Sequence, residues 1–390
     1  GKAHFGPNDH EGSEPLNLGF DINVGGASFG APGSYYAEKK YGKGTRRGHH
    51  AVPHLDKYHD SDTFLSEALT IEAKKNITEI VQSEQPFFLH FSHYAVHSPF
   101  ESDPRFAAHY ADSGKPKSAQ AFATLIAGMD KSLNDMLDHF EKLGVAEDTL
   151  VIFLGDNGYY MGERGFAGKW SHYEESLRIP LIVFDPRLDP ADRGRVETAP
   201  TLNIDVSPTV LEAAGLPLAA SPAAGRPLPI APLAPAGAGA RTGFLCEHGM
   251  KHPDLPRWVG YRTGDLKYAR YLDRPEDGEF LHDLRTDPDE STNLARDPAR
   301  AADLAEMRRA CDDAMADATA AGPPLPRILL IGDSISMGYH ATVVASLDDE
   351  AKVVRPPGNC EGTTKGADRI EDWLALDGGD FDLVHFNFGL

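Results

Sequence analysis

Two hydrophobic patterns alternate along the first part of the chain and predict an α/β fold. Apolar residues recur at helical spacing over 63–83, with Asp62 as a suitable N-cap, and over 118–143. Short apolar runs rich in β-branched residues predict buried strands. These runs are 87–92, 149–154 and 181–184. The order strand, helix, strand is that of a βαβ unit, so we predict a mostly parallel sheet sandwiched by helices.

Composition changes along the chain predict its division into five parts. Residues 217–240 are rich in Ala, Pro and Gly and almost without charge, which predicts a loop or linker. A helical stretch and a Pro-rich linker follow before a new strand begins at Arg327. We expect Ile328–Ile331 and Leu383–Phe388 to pair as neighbouring parallel strands. The predicted parts are 1–216, 217–240, 241–300, 301–326 and 327–390.

Charge and hydropathy narrow the classes of partner. The formal net charge of −21 argues against nucleic acid and against an anionic membrane surface. No run approaches 18 apolar residues, so the sequence predicts no membrane insertion. An anionic substrate would therefore need a local cluster of Lys, His and metal. Because the chain begins at Gly1 inside an apparent motif, we interpret it as a fragment truncated at both ends.

Candidate chemistry follows the predicted strands. The run 149–154 ends at Gly155, and Asp156 and Asn157 come next, at the carboxyl end where open α/β sheets bind ligands. A carboxylate and an amide oxygen suit a hard divalent cation such as Ca²⁺ or Mg²⁺, although Asp-Asn-Gly is also ordinary turn chemistry. His97 lies shortly after the run 87–92, where it could donate a proton or bind an anion.

A histidine-rich loop precedes the first predicted helix. Its histidines are His49, His50, His54 and His59. Their spacing matches no standard zinc pattern. We therefore predict a solvated loop here and no metal site.

The order of motifs around Asp156 resembles the sulfatase family, of the arylsulfatase type within the alkaline-phosphatase superfamily. The motifs are Asp156-Asn-Gly158, Gly162-Glu-Arg-Gly165, Gly168-Lys-Trp170 and the run from Tyr173 to Val183. The resemblance implies an alkaline-phosphatase-like fold. It also implies that Asp156 and Asn157 are ligands of an active-site Ca²⁺ and that Lys169 contacts the substrate sulfate.

The start of the chain extends the resemblance. Gly1-Lys-Ala-His-Phe-Gly6 is similar to the family motif Gly-Lys-Trp-His-Leu-Gly, with Ala3 in place of the family's Trp. This similarity implies that Lys2 contacts sulfate and that His4 is a partner of the nucleophile. His97, before Ser-Pro, is similar to the family's substrate-binding His. Without the resemblance, Lys2 and His4 would be two exposed polar residues in a glycine-rich loop.

Two further stretches resemble known domains. Residues 241–300 are similar to the small C-terminal subdomain of sulfatases, which implies an antiparallel sheet with a closing helix. The strand from Arg327 and the following Gly332-Asp-Ser-Ile-Ser-Met-Gly338 resemble the first block of SGNH (GDSL-type) hydrolases. That resemblance implies a partial flavodoxin-like α/β unit over 327–390 with Ser334 as its nucleophile, at a turn that suits nucleophilic catalysis.

The sulfatase resemblance implies hydrolysis of sulfate esters, of a sulfated carbohydrate or an aryl sulfate, by a periplasmic or secreted enzyme. The family's nucleophile is a formylglycine made within Cys/Ser-x-Pro-x-Arg, and no such motif occurs in this sequence. We therefore expect this chain by itself to be inactive on sulfate esters. Two alternatives stay open: a phosphate or phosphonate monoester hydrolase of the same superfamily, and an inactive module that binds sulfated glycans.

Overall fold

A computed structural model describes most of the chain. The described residues are 1–8, 10–217, 225–228, 241–252, 255–320, 326–332, 334–347, 351–357, 360, 363–376, 379, 381 and 383–387. The chain divides into two compact units. One comprises Gly1–Gly155, Pro180–Arg195 and Ser207–Ala236, and the other comprises Asp156–Ile179, Val196–Val206 and Gly237–Leu390. Of the predicted loop 217–240, only 217 and 225–228 lie among the described residues.

Helices and strands alternate along both units. The α-helices are α1 (Leu65–Gln82), α2 (Ala107–Tyr110), α3 (Lys117–Leu143), α4 (Glu174–Leu177), α5 (Val206–Ala213), α6 (Ala301–Ala320), α7 (Ser334–Ser346) and α8 (Thr363–Leu374). The strands are β1 (Val151–Leu154), β2 (Tyr160–Met161), β3 (Ala167–Gly168), β4 (Leu181–Phe184), β5 (Gly243–His248), β6 (Trp258–Thr263), β7 (Leu266–Tyr271), β8 (Glu279–Asp283), β9 (Arg327–Gly332), β10 (Lys352–Val354) and β11 (Leu383–Asn387).

Helices α1 and α3 confirm the two long helical predictions. Apolar residues of the two helices pack in one cluster, which includes Ile77 of α1 and Phe140 of α3. Gly144 caps the carboxyl end of α3 in the left-handed conformation. The predicted N-cap Asp62 is wrong, because α1 begins only after Phe64. Phe64 is buried and bridges to Tyr36, which keeps its backbone extended and delays the helix by two residues. Packing therefore outweighs the local capping signal.

The predicted parallel sheet of the first unit is wrong for the described strands. β1 pairs with β4, and the pairing is antiparallel, with Leu154 opposite Leu181. Residues 87–92 form no strand. Among the described residues, the one backbone hydrogen bond between this run and another segment runs from Lys2 N to Ser92 O at 2.8 Å. An apolar run indicates burial and extension, but it carries no information about the direction or presence of a partner.

The second unit contains a four-stranded antiparallel sheet of order β5-β6-β7-β8, which confirms the predicted antiparallel subdomain. Helix α6 covers one face of this sheet. Together they bury a cluster made of Val259, Tyr268, Leu281, Leu304, Met307 and Cys311. The helix predicted after residue 300 thus packs as part of the same core.

The carboxyl-terminal strands form a separate parallel sheet of order β10-β9-β11. β9 pairs with β11 from Ile328 opposite Leu383 to Gly332 opposite Asn387, which confirms the predicted parallel pairing. The predicted linker after Gly322 lies outside the described residues, apart from Pro326. Among the described helices, none is both long and apolar enough to cross a membrane.

A buried neutral histidine lies against the antiparallel sheet. His172 has no exposed surface, and within the described residues neither ring nitrogen has a hydrogen-bond partner. The centroid of its ring lies 4.1 Å from the ring centroid of Tyr173 and 4.5 Å from that of Phe280. Burial, helped by the positive charge of Lys267, lowers the pKa of His172 well below its usual value.

We expect His172→Phe to remove part of the acid sensitivity of folding. Below pH about 6.5 the unfolded chain protonates this histidine while the folded protein resists, so stability falls as pH falls, by up to about 1.4 kcal/mol per pH unit. The free energy of unfolding of His172→Phe should therefore decline less than that of the parent protein between pH 7.5 and 5.5. Urea titrations at several pH values measure this, with the exposed His109→Phe as control. Parallel pH profiles for the parent protein and His172→Phe would contradict the prediction.

Candidate functional site

Two of the predicted site residues meet in the second unit. The Lys169 ammonium donates a hydrogen bond to Asn157 Oδ1 at 2.6 Å. The Asn157 amide in turn donates to the carbonyl of Gly158 at 2.7 Å, which orients its oxygen toward Lys169. Asp156 is exposed, and its backbone carbonyl accepts a hydrogen bond from the Asn203 side chain at 3.1 Å. The segment after β1 thus presents a carboxylate, an amide oxygen and an ammonium group.

A short hairpin brings Lys169 back to Asn157. β2 and β3 pair antiparallel, with Tyr160 opposite Gly168, so the chain reverses between the two residues. Tyr160 is buried, and its hydroxyl lies 2.6 Å from Ser171 Oγ. This hydrogen bond holds the backbone just after Lys169 close to β2. The twelve-residue separation of Asn157 and Lys169 is therefore closed by local structure.

Glycine at 158 is required by a close backbone approach. Gly158 N donates to Ser176 O at 2.9 Å, and a Cβ at this position would lie 2.1 Å from Glu175 O. Residues 156–158 therefore lie directly against 175–176. The turn interpretation and the ligand interpretation of Asp-Asn-Gly are compatible, because the tight turn is what orients Asn157.

The oxygen donors of Asp156 and Asn157 fit a hard cation in kind. Ca²⁺ takes six to eight oxygen ligands, so these two residues would supply only part of its shell. Within the part of the chain that the structure describes, no group of three or more His, Cys, Asp or Glu side chains could hold a metal ion. Asn157 Oδ1 accepts from Lys169 and retains a second lone pair for a cation.

The other predicted sulfatase residues lie in the first unit. Lys2 N bonds to Ser92 O, and His4 N bonds to Ala27 O, both at 2.8 Å. His4 is exposed, with a positive φ of 56°. A Cβ on Gly30 would lie 2.5 Å from His4 Nδ1, so the imidazole packs directly on the backbone of Gly30. The absence of a side chain at Gly30 therefore leaves room for the ring of His4.

A buried tyrosine supports the loop that carries His97. The Tyr35 hydroxyl donates to the carbonyls of Tyr94 and His97, at 2.7 and 2.8 Å. Tyr35 has no exposed surface, and burial, together with the charge of Glu101, raises its pKa well above the usual value. The hydroxyl is therefore a fixed donor, and it sets the position of the His97 backbone. His97 Nδ1 lies 3.0 Å from Ser98 O.

His50 differs from the solvated loop residue that the sequence predicts. Its ring stacks on Phe29 at 5.1 Å, and Phe29 also stacks on Tyr94 at 6.0 Å. His50 Nδ1 is buried and has no hydrogen-bond partner within the described residues. Phe29 thus connects the histidine-rich loop to the start of the loop that carries His97.

Burial and neighbouring basic groups disfavour the charged form of His50. Its pKa is lowered by burial first, and then by the positive charges of His49, Arg47, His97 and His4. An anion bound beside His50 would favour its charged form. No spacing in the sequence distinguishes His50 from its neighbouring histidines.

Ser334 is the first residue of α7, which follows β9 after one residue. Its position at a strand-to-helix junction agrees with the predicted turn. The Ser334 side chain lies outside the described residues, so its role as a nucleophile stays a prediction.

Comparisons with known proteins agree with the motifs. The sulfatase family model matches residues 1–216, and a model described as N-sulphoglucosamine sulphohydrolase, C-terminal, matches residues 162–317. The chain is 30% identical to a choline-sulfatase of Rhizobium meliloti over 49% of its own length and 36% of the relative's. It is 28% identical to an N-acetylglucosamine-6-O-sulfatase of Bacteroides thetaiotaomicron over 44% of its length and 31% of the relative's.

A solved structure supports the fold. The crystal structure of Ps i-CgsB superposes with a TM-score of 0.57 at 18% identity, covering 80% of this chain and 69% of that one. The chain spans about a third of the length of the curated relatives described above, at 36% and 31%. A family model that matches more than half of the 390 residues nevertheless settles the classification. The chain belongs to the sulfatase family.

Proposed function

We propose that this chain is part of an enzyme that hydrolyses sulfate esters and that the substrates of this enzyme are sulfated carbohydrates. The observation that carries this proposal is the contact between Lys169 and Asn157, inside the stretch that matches the sulfatase family model. A cation beside an amide oxygen suits a site in which an anion and a metal ion bind next to each other. The carbohydrate class is supported by the relative that acts on N-acetylglucosamine-6-O-sulfate, as its name states.

Each predicted site residue has a role in binding or charge stabilisation. Lys169, Lys2 and His97 bind the sulfate oxygens and neutralise the charge that they carry. His4 hydrogen-bonds the attacking group and moves a proton to or from it. These roles place positive groups at the substrate in a protein whose net charge is −21, so the attraction is local and not a property of the whole surface.

Asp156 and Asn157 would hold the metal ion that sulfatases generally use, and we propose Ca²⁺. When bound, such an ion supplies Lewis-acid stabilisation of the negative charge on sulfate. The attack on sulfur, proposed to come from a formylglycine, is not assigned to a residue of this chain, because none of its 390 residues lie in a Cys/Ser-x-Pro-x-Arg motif. The residues named here orient the ester and stabilise charge.

Sulfate binding should depend on Ca²⁺ and on Asp156. We expect calorimetry to show that inorganic sulfate binds more tightly with CaCl₂ present than after chelation. We expect this Ca²⁺ effect to be lost in Asp156→Ala, since one carboxylate ligand is removed. Asp265→Ala, an exposed residue between β6 and β7, is the matched control. Equal Ca²⁺ dependence in Asp156→Ala and the parent protein would overturn the proposed metal site.

The same titrations separate the alternatives. Tighter binding of inorganic phosphate or methylphosphonate than of sulfate would favour a phosphate or phosphonate monoester hydrolase. Binding of a sulfated oligosaccharide, without turnover by the protein in a form that contains the nucleophile motif, would favour an inactive glycan-binding module. Turnover of N-acetylglucosamine-6-sulfate or 4-nitrophenyl sulfate by that form supports the proposal.

We propose in addition that residues 327–390 are the first part of an SGNH hydrolase with Ser334 as nucleophile. The parallel pairing of β9 with β11 and the start of α7 at Ser334 support this assignment. We also propose a periplasmic or secreted location, on the ground of the resemblance to the sulfatase family. Labelling of Ser334 by a fluorophosphonate probe, absent in Ser334→Ala, would test the nucleophile.

A further inference from the structure

Four charged side chains of the second unit form an ionic cluster with a buried pair at its centre. Its members are Lys267 on β7, Arg262 on β6, Glu174 at the start of α4, and Glu290. The side chains of Lys267 and Glu290 are both fully buried and form an ion pair. Lys267 Nζ also lies 3.2 Å from Glu174 Oε1. Arg262 donates to both carboxylate oxygens of Glu174, from Nε at 3.1 Å and from Nη2 at 3.2 Å.

The cluster ties the segment 162–177 to the antiparallel sheet. Glu174 contributes its backbone as well as its side chain, since Glu174 N donates to Glu290 Oε2 at 2.7 Å. On the other side of Lys169, Arg164 donates to Glu175 Oε1 at 3.0 Å and to the carbonyl of Glu290 at 3.1 Å. Both flanks of Lys169 therefore reach Glu290, one through Arg164 and the other through Glu174.

A further contact fixes the residue next to Lys169. The indole nitrogen of Trp258, on β6, donates to the backbone carbonyl of Trp170 at 2.9 Å. Trp258 is 3% exposed, so the donor of this bond is held within the core of the second unit. The sheet thus holds the backbone at Trp170 directly, while the ionic cluster holds the segment on either side of it.

Charges buried so completely make a poor general stabiliser. Desolvation of two ions costs several kcal/mol each, and well-packed apolar residues often stabilise a core equally well. Burial raises the pKa of Glu290, with Lys267 acting against it. Burial would also raise the pKa of Glu174, but hydrogen bonds and charge from Arg262 and Lys267 outweigh it, so the pKa is lowered and the carboxylate stays ionised. Ion pairs of this kind are instead suited to holding side chains in a defined geometry.

We propose that Lys267 is a positioning residue for sulfate binding, which holds the segment 162–177 through Glu174 and Glu290 so that Lys169 is presented beside Asn157. This inference rests on the proposed role of Lys169 in binding sulfate. Lys267 itself lies on the sheet, and its ammonium group forms ion pairs with two carboxylates. It therefore affects the substrate only through the position of the segment 162–177.

The test compares Lys267→Met with Arg257→Met, which removes an ion pair of the same sheet with Asp273 at a half-exposed position. Hydrogen exchange followed by mass spectrometry reports on the segment 162–177, and calorimetry with sodium sulfate reports on the site. For Lys267→Met we expect exchange at least tenfold faster in 162–177, little change in α1 and α3, and about tenfold weaker sulfate binding. Arg257→Met should change neither quantity.

Folded Lys267→Met protein with unchanged exchange in 162–177, or with unchanged sulfate affinity, would overturn the inference. If Lys267→Met does not fold, Glu290→Gln decides, because it keeps the shape of the side chain and removes one charge. Faster exchange confined to 162–177 with weaker sulfate binding in Glu290→Gln supports the inference, and parent-like values overturn it. Lys169→Met separates the two levels: if it leaves sulfate affinity unchanged, the proposed function fails, whatever Lys267→Met does to the exchange rates.

Discussion

Replacing Lys169 by methionine is expected to weaken the binding of inorganic sulfate by about 10- to 100-fold. Methionine keeps the aliphatic stem and removes the ammonium that lies 2.6 Å from Asn157 Oδ1. A hydrogen bond to a charged group contributes about 1.5–3 kcal/mol, which corresponds to that range of affinity. Hydrolysis of a sulfate ester should be measured in a form of the protein that contains the nucleophile motif. There the rate should fall further, by about 10²–10³-fold, because charge stabilisation counts most in the transition state.

Ca²⁺ binding distinguishes loss of a sulfate contact from collapse of the site. In Lys169→Met, Asn157 Oδ1 loses its ammonium partner, so its oxygen becomes more available to a cation. We therefore expect Ca²⁺ affinity to be kept or raised while sulfate affinity falls. Lys251→Met, an exposed lysine of the same unit, is the matched control and should leave both affinities unchanged. Parent-like sulfate affinity in Lys169→Met would remove the basis for the proposed function.

Replacing Gly158 by alanine is expected to destabilise the protein by about 3 kcal/mol and to lower Ca²⁺ and sulfate affinity together. The added methyl group would lie 2.1 Å from Glu175 O and 2.9 Å from the carbonyl carbons of Glu175 and Ser176. These are backbone atoms, so the overlap is relieved only if residues 156–158 move away from 175–176. Such overpacking costs about 1–3 kcal/mol and occasionally more. The movement would also separate Asn157 from Lys169.

Gly264→Ala is the matched control for Gly158→Ala. A Cβ at Gly264, between β6 and β7, meets no atom within 4 Å. Urea unfolding gives the free energies, and calorimetry gives the two affinities. If Gly158→Ala folds with the stability of Gly264→Ala and binds Ca²⁺ and sulfate normally, the close approach of the two segments is not needed for the site.

Local pattern in the sequence was sufficient for elements whose formation depends on their own periodicity. The helical spacing of apolar residues predicted α1 and α3, and the apolar run 149–154 predicted β1 to within two residues. The motifs predicted that Asn157 and Lys169 serve one site, and the hairpin of β2 and β3 brings them together. Both features arise over at most about 30 residues of chain, where local sequence and turn chemistry dominate.

What the sequence by itself determined was therefore the family, the main helices, the antiparallel subdomain and the segment that carries Asn157 and Lys169. The tertiary structure alone decided the antiparallel direction of β4 against β1, the absence of a strand at 87–92, the contact of His50 with Phe29, and the burial of Lys267 with Glu290. Each of these depends on which distant segment lies alongside, and hydrophobic periodicity reports only that a residue is buried. A lysine and a glutamate 23 positions apart read as two surface charges until folding removes both from water and leaves each as the other's counterion.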